Sequence, residues 1–425
     1  MSAGVFLLTL LGSIAIGMPI AFALLVAAVA LMLLLGQFQP QVMAQNAIAG
    51  ADNFVLMAVP FFILAGEFMN AGGLSRRIVA MAGAFVGHLR GGLGYVAIFA
   101  AVILASLSGS AVADTAAVAA ILVPMMRDAG YSVSRSCGLM AAGGIIAPVI
   151  PPSIAFLIFG VVANLSITKL FLTGIVPGLY MGVALIGAWW WVSRKDQVAV
   201  TPRQSWPTRL RMVGSGFWAL MLPVIIIGGL RFGIFTPTEA GVVAAFYAMF
   251  VGLVIYRELD LRSLYQCMLM TARTTAVVLL LAALAAVASY MITIANVPDQ
   301  ISAWLSPLAG SPTALVSAMM VVVFLFGMVL DMIPIIMILT PVFMPIVVQA
   351  GVDPIYFGVV FVVNCSIGMI TPPVGVVLNV VASIGKITMD SAVHGVLPFL
   401  LVLVVVLVLL ILFPALVMVP AAWWL

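Results

Sequence analysis

The chain has 425 residues, 65% of them hydrophobic and only 7% charged, and its formal net charge of +4 comes from 16 basic and 12 acidic side chains. Soluble domains carry about 25% charged residues, and so few charges cannot cover the surface of a water-soluble body of this size. The chain is therefore read as a polytopic all-α membrane protein, which excludes soluble enzymes, nucleic-acid binders and disulfide-rich secreted domains together.

Taken in chain order, long apolar runs fall near 3–35, 54–75, 136–163, 170–192, 213–231, 238–256, 264–295, 355–385 and 397–419. Each can supply the roughly 20 residues that a membrane-crossing helix needs. The first run is read as one retained transmembrane helix, because no basic residue precedes Arg76 and no cleavable leader is apparent. Two further stretches, 92–126 and 313–347, are too long for one straight span, and each is interrupted in the middle. The first breaks at Ser106-Leu-Ser-Gly-Ser110 and the second around Gly327-Met-Val-Leu-Asp331. Two short arms around a small polar tip predict a re-entrant hairpin in each.

Basic residues orient the chain, since cytoplasmic loops are rich in Lys and Arg. Arg76, Arg77, Arg90, Arg127 and Arg135 flank 92–126 on both sides, so that hairpin opens to the cytoplasm. The segments 296–312 and 348–354 hold no Lys or Arg, so the second hairpin opens outward. The loop 193–212, with Arg194, Lys195, Arg203, Arg209 and Arg211 against Asp196, is cytoplasmic, and Arg257, Arg262 and Lys386 also fall inside. Nine crossings and two hairpins then place the N-terminus in the cytoplasm and the C-terminus outside. Trp189, Trp190 and Trp191 read as an interfacial aromatic belt, with Trp423 and Trp424 at the opposite interface.

The two interrupted stretches belong to a duplication with an offset of 221 and no gap. Pro124 matches Pro345, Ala129-Gly130 matches Ala350-Gly351, Pro151-Pro152 matches Pro372-Pro373, and Gly174-Ile-Val-Pro177 matches Gly395-Val-Leu-Pro398. The charge pattern gives the copies opposite topology, an architecture recurrent in secondary transporters. After each hairpin comes a discontinuous helix, broken at Gly143-Gly-Ile-Ile-Ala-Pro148-Val-Ile-Pro-Pro-Ser153 and at Gly368-Met-Ile-Thr371-Pro-Pro-Val-Gly375. A Pro-Pro pair removes two amide donors, and the carbonyls it frees are tolerated in a membrane only where they line a cavity or are otherwise satisfied.

Tips and breaks offer carbonyls, hydroxyls and the amides of Asn364 and Asn379, which are oxygen ligands suited to a hard cation such as sodium. Half-helix N-termini suit an anion, typically a carboxylate. The candidate cation sites draw on Ser106, Ser108, Gly109, Ser110 and Pro148 in the first copy, and on Gly327, Asp331, Gly368 and Thr371 in the second. Candidate substrate contacts between them are Ser110, Asp114, Ser153, Asn364, Thr371, Pro372 and Gly375. Acids inside a membrane are costly and draw attention to function. Asp331 reads as a cation ligand or tip stabiliser, while Glu67 and Glu239 near helix ends read as structural. His88 and His394 read as surface residues, the latter in a loop. Cys137, Cys267 and Cys365 have no metal-like spacing and read as apolar fillers. No metalloprotease, Walker or nucleophile-elbow motif occurs, so the chain is not read as an enzyme, and no cofactor is expected beyond sodium as the coupling ion.

The runs Leu107-Ser-Gly-Ser-Ala-Val-Ala-Asp114, Gly143 to Ser153, Phe235-Thr-Pro-Thr-Glu-Ala-Gly241, Asn364 to Pro373, Pro60-Phe-Phe-Ile-Leu-Ala-Gly-Glu67 and Asn70-Ala-Gly-Gly-Leu74 resemble the large permease subunit of TRAP transporters, the DctM type. The likeness covers essentially the whole chain. It implies a tripartite importer in a bacterial inner membrane: a periplasmic binding protein that captures a carboxylate, a small membrane subunit of about four helices, and symport driven by a sodium gradient through an elevator motion. The small subunit is expected as a separate chain. The sequence looks nearest to members handling sugar acids such as 2,3-diketo-L-gulonate, with C4-dicarboxylates as the alternative substrate class. On this reading 1–75 and 164–312 form the scaffold, 78–90 an interfacial arm, 91–163 and 313–385 the two halves of the transport domain, and 386–425 a C-terminal helix. The rival readings are an ion-coupled anion efflux system or cation/proton antiporter working without a binding protein, a channel, and a membrane-embedded enzyme.

Overall fold

Prolines and glycines punctuate the apolar runs, and they set where the helices stop. In a computed structural model, residues 2–194, 198, 202–305 and 310–423 are described, and every regular element among them is helical. Seven helical segments among the described residues are long and apolar enough to cross a membrane by length and composition.

The first half comprises α1 (Ser2–Ala15), α2 (Ile20–Leu34), α3 (Pro40–Ala51), a 3₁₀ turn (Phe54–Met57) leading into α4 (Ala58–Ala71), α5 (Leu74–Val86), α6 (Gly92–Ser108), α7 (Ala111–Asp128), α8 (Val133–Gly144), α9 (Ile154–Val162) and α10 (Ile167–Ser193). The second comprises α11 (Trp206–Arg231), α12 (Pro237–Phe250) ending in a π-helical turn (Val251–Ile255), α13 (Leu261–Ile294), α14 (Val297–Leu305), α15 (Pro312–Gly327), α16 (Met332–Gln349), α17 (Pro354–Gly368), α18 (Val376–Gly385) and α19 (Met389–Leu412), followed by a short α20 (Ala415–Ala421).

The duplication reaches beyond the span read from the sequence. α3 begins at Pro40 and α13 at Leu261, α7 at Ala111 and α16 at Met332, both 221 apart. Gly36 and Arg257, also 221 apart, share a left-handed conformation with φ of 65° and 56°. Pro151-Pro152 and Pro372-Pro373 are both cis. The ungapped offset needs correction, however. Through the second half of each broken helix it becomes 222, as the left-handed Asn164 and Lys386 show, and α9 and α18 start at Ile154 and Val376. It returns to 221 at Pro177 and Pro398, inside α10 and α19.

The halves exchange partners. α2 packs on α13 and α12 on α4; α9 packs on α16 and α18 on α7; α8 packs on α19 and α17 on α10. One arm of each hairpin, α7 and α16, and each half-helix are thus held by the other copy, which joins the two repeats through one continuous core.

Several expectations from the sequence are overturned. The run 3–35 is not one helix. Gly17, with φ of 84°, and Pro19, which fixes its own φ and caps α2, split it into two helices of 14 and 15 residues packed side by side. The terminal run likewise stops at Phe413-Pro414. Trp189 is not a belt residue. It is fully buried, its Nε1 donates to the Gly91 carbonyl at 2.8 Å, and its ring lies between Tyr131 and Phe399. Trp190, Trp191 and Trp423 are exposed, whereas Trp424 lies outside the described residues, as do Lys195 and Asp196. His394 sits on α19 rather than in a loop. Glu239, by contrast, has the structural role read for it: it completes a capping box with Thr236 at the start of α12.

The helix α5 lies on the stretch expected as an arm and begins four residues earlier. Gly73, with φ of 72°, turns the chain into it, and its buried face presents Leu74, Ile78, Val79 and Ala82. The corner is tied to the α12–α13 connection. Arg76 and Arg77 reach Glu258 at 2.5 and 2.6 Å, and the Arg77 guanidinium lies 3.8 Å over the Tyr256 ring.

Candidate functional site

The first hairpin turns at Gly109, where α6 ends. Its φ of 65° suits glycine, and an added Cβ would stand 2.3 Å from the Pro152 carbonyl oxygen. The tip backbone therefore rests on the break between α8 and α9. Ser110 caps α7 by accepting from the Ala113 N–H at 3.4 Å. The Ser108 hydroxyl donates to Asp114 Oδ1 and accepts from the Ser110 N–H at 3.2 Å. Ser153 caps α9, accepting from the Phe156 N–H at 3.1 Å while donating to the Pro148 carbonyl. The carbonyls of Ala147, Ile150 and Pro152 take no backbone hydrogen bond, because the prolines downstream supply no donor and the helix is interrupted. Residues 145–153 are all buried.

The second unit has the same plan with different chemistry. α15 ends at Gly327, whose Cα lies against Gly368 at the end of α17. The Val374 N–H donates across to the Met328 carbonyl at 3.2 Å, so tip and break share a backbone hydrogen bond. Asp331 caps α16 through the Met332 N–H at 2.8 Å and is exposed. The Thr371 hydroxyl donates to the Ile367 carbonyl at 2.8 Å, which leaves its lone pairs free. The carbonyls of Ile370, Thr371 and Pro373 accept no backbone hydrogen bond. Gly375, with φ of 50°, starts α18 without a side-chain cap, and the N–H groups of Val376 and Leu378 stay unpaired there.

The structure thus gathers Ser108, Gly109 and Ser110 with Pro152 and Ser153, and separately Gly327 and Met328 with Gly368 and Val374. Pro148, Thr371 and Pro372 lie within these breaks. Three candidate residues are placed differently. Ser106 turns its hydroxyl to the Ile103 carbonyl of its own helix at 2.6 Å. Asn364 is fully buried and donates to the Met320 carbonyl at 2.6 Å, bracing α17 to α15. Asp114 is buried beneath the tip rather than open to a ligand. The sequence reading passed over the carbonyls of Ala147, Ile150 and Ile370, because an unpaired carbonyl has no signature in residue identity. Asn379, an amide already singled out, belongs to an exposed polar line with Ser383 on α18 and Lys386 just past its end. Their i, i+4, i+7 spacing is a helical signal that was available.

The two units differ in exposure. The first is enclosed, while Pro373, Val374 and Asp331 of the second are exposed and continuous with the open face of α18. The oxygens at each unit are carbonyls, hydroxyls and one carboxylate, a set suited to a hard cation. Four helices, α7, α9, α16 and α18, begin at these tips and breaks, so their partial positive ends are available to an anion.

Comparison with known proteins gives the family and the fold. Residues 7–416 match the family model described as the DctM component of the tripartite ATP-independent periplasmic transporter. The chain is 55% identical over 423 residues to the 2,3-diketo-L-gulonate TRAP transporter large permease protein YiaN of Escherichia coli K12, covering 99% of both chains. It is 53% identical over 419 residues, again with 99% of both covered, to a putative TRAP transporter large permease protein of Haemophilus influenzae. Among solved structures, the YdaH transporter of Alcanivorax borkumensis superposes with a TM-score of 0.63 over 88% of this chain and 87% of that one, at 16% identity, which is a likeness of fold.

Proposed function

This chain belongs to the DctM family and is the large permease of a TRAP transporter, and from that premise we propose that it imports a sugar acid by sodium symport. The observation that carries the proposal is the pair of tip-to-break units related by the repeat. Each sets unpaired backbone carbonyls against a hairpin tip in a chain that otherwise leaves few polar groups in its apolar interior. Such carbonyls are costly in hydrocarbon, and sodium bound at each unit offsets that cost. Ser108, Ser110 and the Pro152 carbonyl serve the first ion; Thr371, the Ile370 carbonyl and Asp331 serve the second. The substrate carboxylate sits between them, on the uncapped start of α18 at Gly375 and beside Pro372.

The two hairpins are re-entrant, and the units move together across the membrane against a scaffold that includes α4, α10, α13 and α19, with α5 and α14 as the connecting arms. Splitting the first run adds one crossing, so the N-terminus moves from the cytoplasmic side to the outer side, which it shares with the C-terminus. The exposed face of α18, running from the second break to Lys386, is the exit path toward the cytoplasm. The substrate arrives from a periplasmic binding protein, and a small four-helix subunit buttresses the scaffold. The 2,3-diketo-L-gulonate name of the relative at 55% identity supports a sugar acid as the cargo.

The test is uptake of labelled sugar acid into proteoliposomes holding this chain and its small subunit. Uptake should require both the binding protein and an inward sodium gradient. Uptake that proceeds without the binding protein, or that ignores sodium, refutes the proposal and favours exchange by a two-state antiporter.

A further inference from the structure

We propose that Asp114 is a positioning residue that acts through Ser108, fixing which side of that hydroxyl faces the first cation. The proposal rests on the reading of the first tip as a sodium site.

A serine hydroxyl has one hydrogen to donate and two lone pairs to accept with. At Ser108 the hydrogen goes to Asp114 Oδ1, and one lone pair receives the Ser110 N–H at 3.2 Å. One lone pair remains, at the tip where Gly109 brings the backbone onto the Pro152 carbonyl. The residue has little room to turn away, because a methyl group on Gly66 of α4 would stand only 3.0 Å from the Ser108 Cβ. Without Asp114 the hydroxyl is a free rotor, able to aim its hydrogen where a cation needs an oxygen.

Among the described residues Ser108 is the only side-chain partner of the Asp114 carboxylate, and Asp114 Oδ2 is buried without a hydrogen bond in a small space lined by Ala97, Ala101, Gly143 and Gly144. In such surroundings a hydrogen bond to a carboxylate polarises the donor oxygen strongly, so Asp114 lends negative character to Ser108 without touching the ion. The second hairpin lacks this relay. The positions 221 residues on from Ser108 and Asp114 are Val329 and Ile335, whereas the counterpart of Ser110 is Asp331, a carboxylate at the tip itself. Each hairpin therefore supplies one carboxylate, directly in one copy and through a hydroxyl in the other.

The test is a double-mutant cycle in proteoliposomes containing the complete transporter. It reads the sodium concentration for half-maximal uptake, the substrate KM at saturating sodium, and the sodium-dependent rise in melting temperature. Asp114→Ala and Ser108→Ala should each raise half-activating sodium about tenfold, as expected for loss of one charge-assisted hydrogen bond. The double variant should match either single within about twofold, since both remove one coupled element. Asp114→Asn, which keeps an acceptor oxygen but not the charge, should recover part of the loss. Effects that multiply in the double variant would overturn the proposal, as would a lowered maximal rate with sodium activation unmoved. If Asp114→Ala fails to reach the membrane, Asp114→Asn decides: a shift as large as that of Ser108→Ala overturns the proposal. Wild-type uptake that ignores sodium would instead overturn the sodium reading itself, and this assignment with it.

Discussion

Gly327 and Gly368 meet backbone to backbone: a Cβ on Gly368 would stand 2.6 Å from the Gly327 Cα. Neither neighbour is a flexible side chain end, so the contact cannot be relieved by a rotamer change. Gly368→Ala should destabilise the protein by about 1–3 kcal/mol through overpacking and abolish uptake by parting the second tip from its break. Gly228→Ala, on α11 with open space around it, should be neutral or stabilising. Melting temperatures of the two purified variants check the contrast; equal behaviour would mean the glycine contact carries no constraint.

Ser110→Ala and Thr371→Val remove one hydroxyl from each proposed cation unit. Both should raise half-activating sodium several-fold while moving the melting temperature little, because Ser110 is only partly buried and the Thr371 hydroxyl bonds locally, back to the last turn of α17. Sodium activation that stays put in both variants counts against the two sites.

Trp189 separates a core role from an interfacial one. Trp189→Phe leaves the Gly91 carbonyl without its donor and a gap beside Tyr131, and should cost about 1–3 kcal/mol. Trp190→Phe, at an exposed position, should cost less than about 0.5 kcal/mol. Paired thermal melts read the difference, and a larger loss at Trp190 would reverse the assignment.

Glu258 holds two arginines of α5 at once. Glu258→Gln should loosen the corner by about 1 kcal/mol or less, given the exposure of Arg76. The measurable consequence is faster amide exchange across 74–78 with α12 unchanged, an effect that added salt reproduces in the wild-type protein. Exchange that rises equally throughout α12 would mean the pairs hold more than the corner.

Much of this architecture was legible because membrane helices must stop somewhere, and what stops them is visible. Pro151-Pro152 and Pro372-Pro373 announced both breaks, and Ser108 to Ser110 and Asp331 announced both tips. The split between α1 and α2 was harder to see. Gly17 and Pro19 interrupt a run that is apolar on every side, so neither hydropathy nor amphipathic period changes across them. Trp189 failed for a related reason, since three consecutive tryptophans look alike in composition while a helix points them in three directions. The enclosure of Asp114 and the locked amide of Asn364 depend on what α8 and α15 bring against them, and no local pattern carries that. A few punctuating residues carry the repeat in the sequence, yet its reach to α3 and α13 rests on helix starts and on the left-handed Gly36 and Arg257, where the residue types differ.

The exchange of partners between the halves has a consequence for how the chain is made. When α2 leaves the ribosome, the helix it will pack on, α13, is more than two hundred residues from being synthesised, and α9 must likewise wait for α16. The early half therefore resides in the membrane with its contact faces unsatisfied until the late half arrives. Biogenesis depends on something holding that half-built protein, whether the insertion machinery or surrounding lipid, and a nonsense truncation near the midpoint leaves an orphan for quality-control proteases rather than half a transporter.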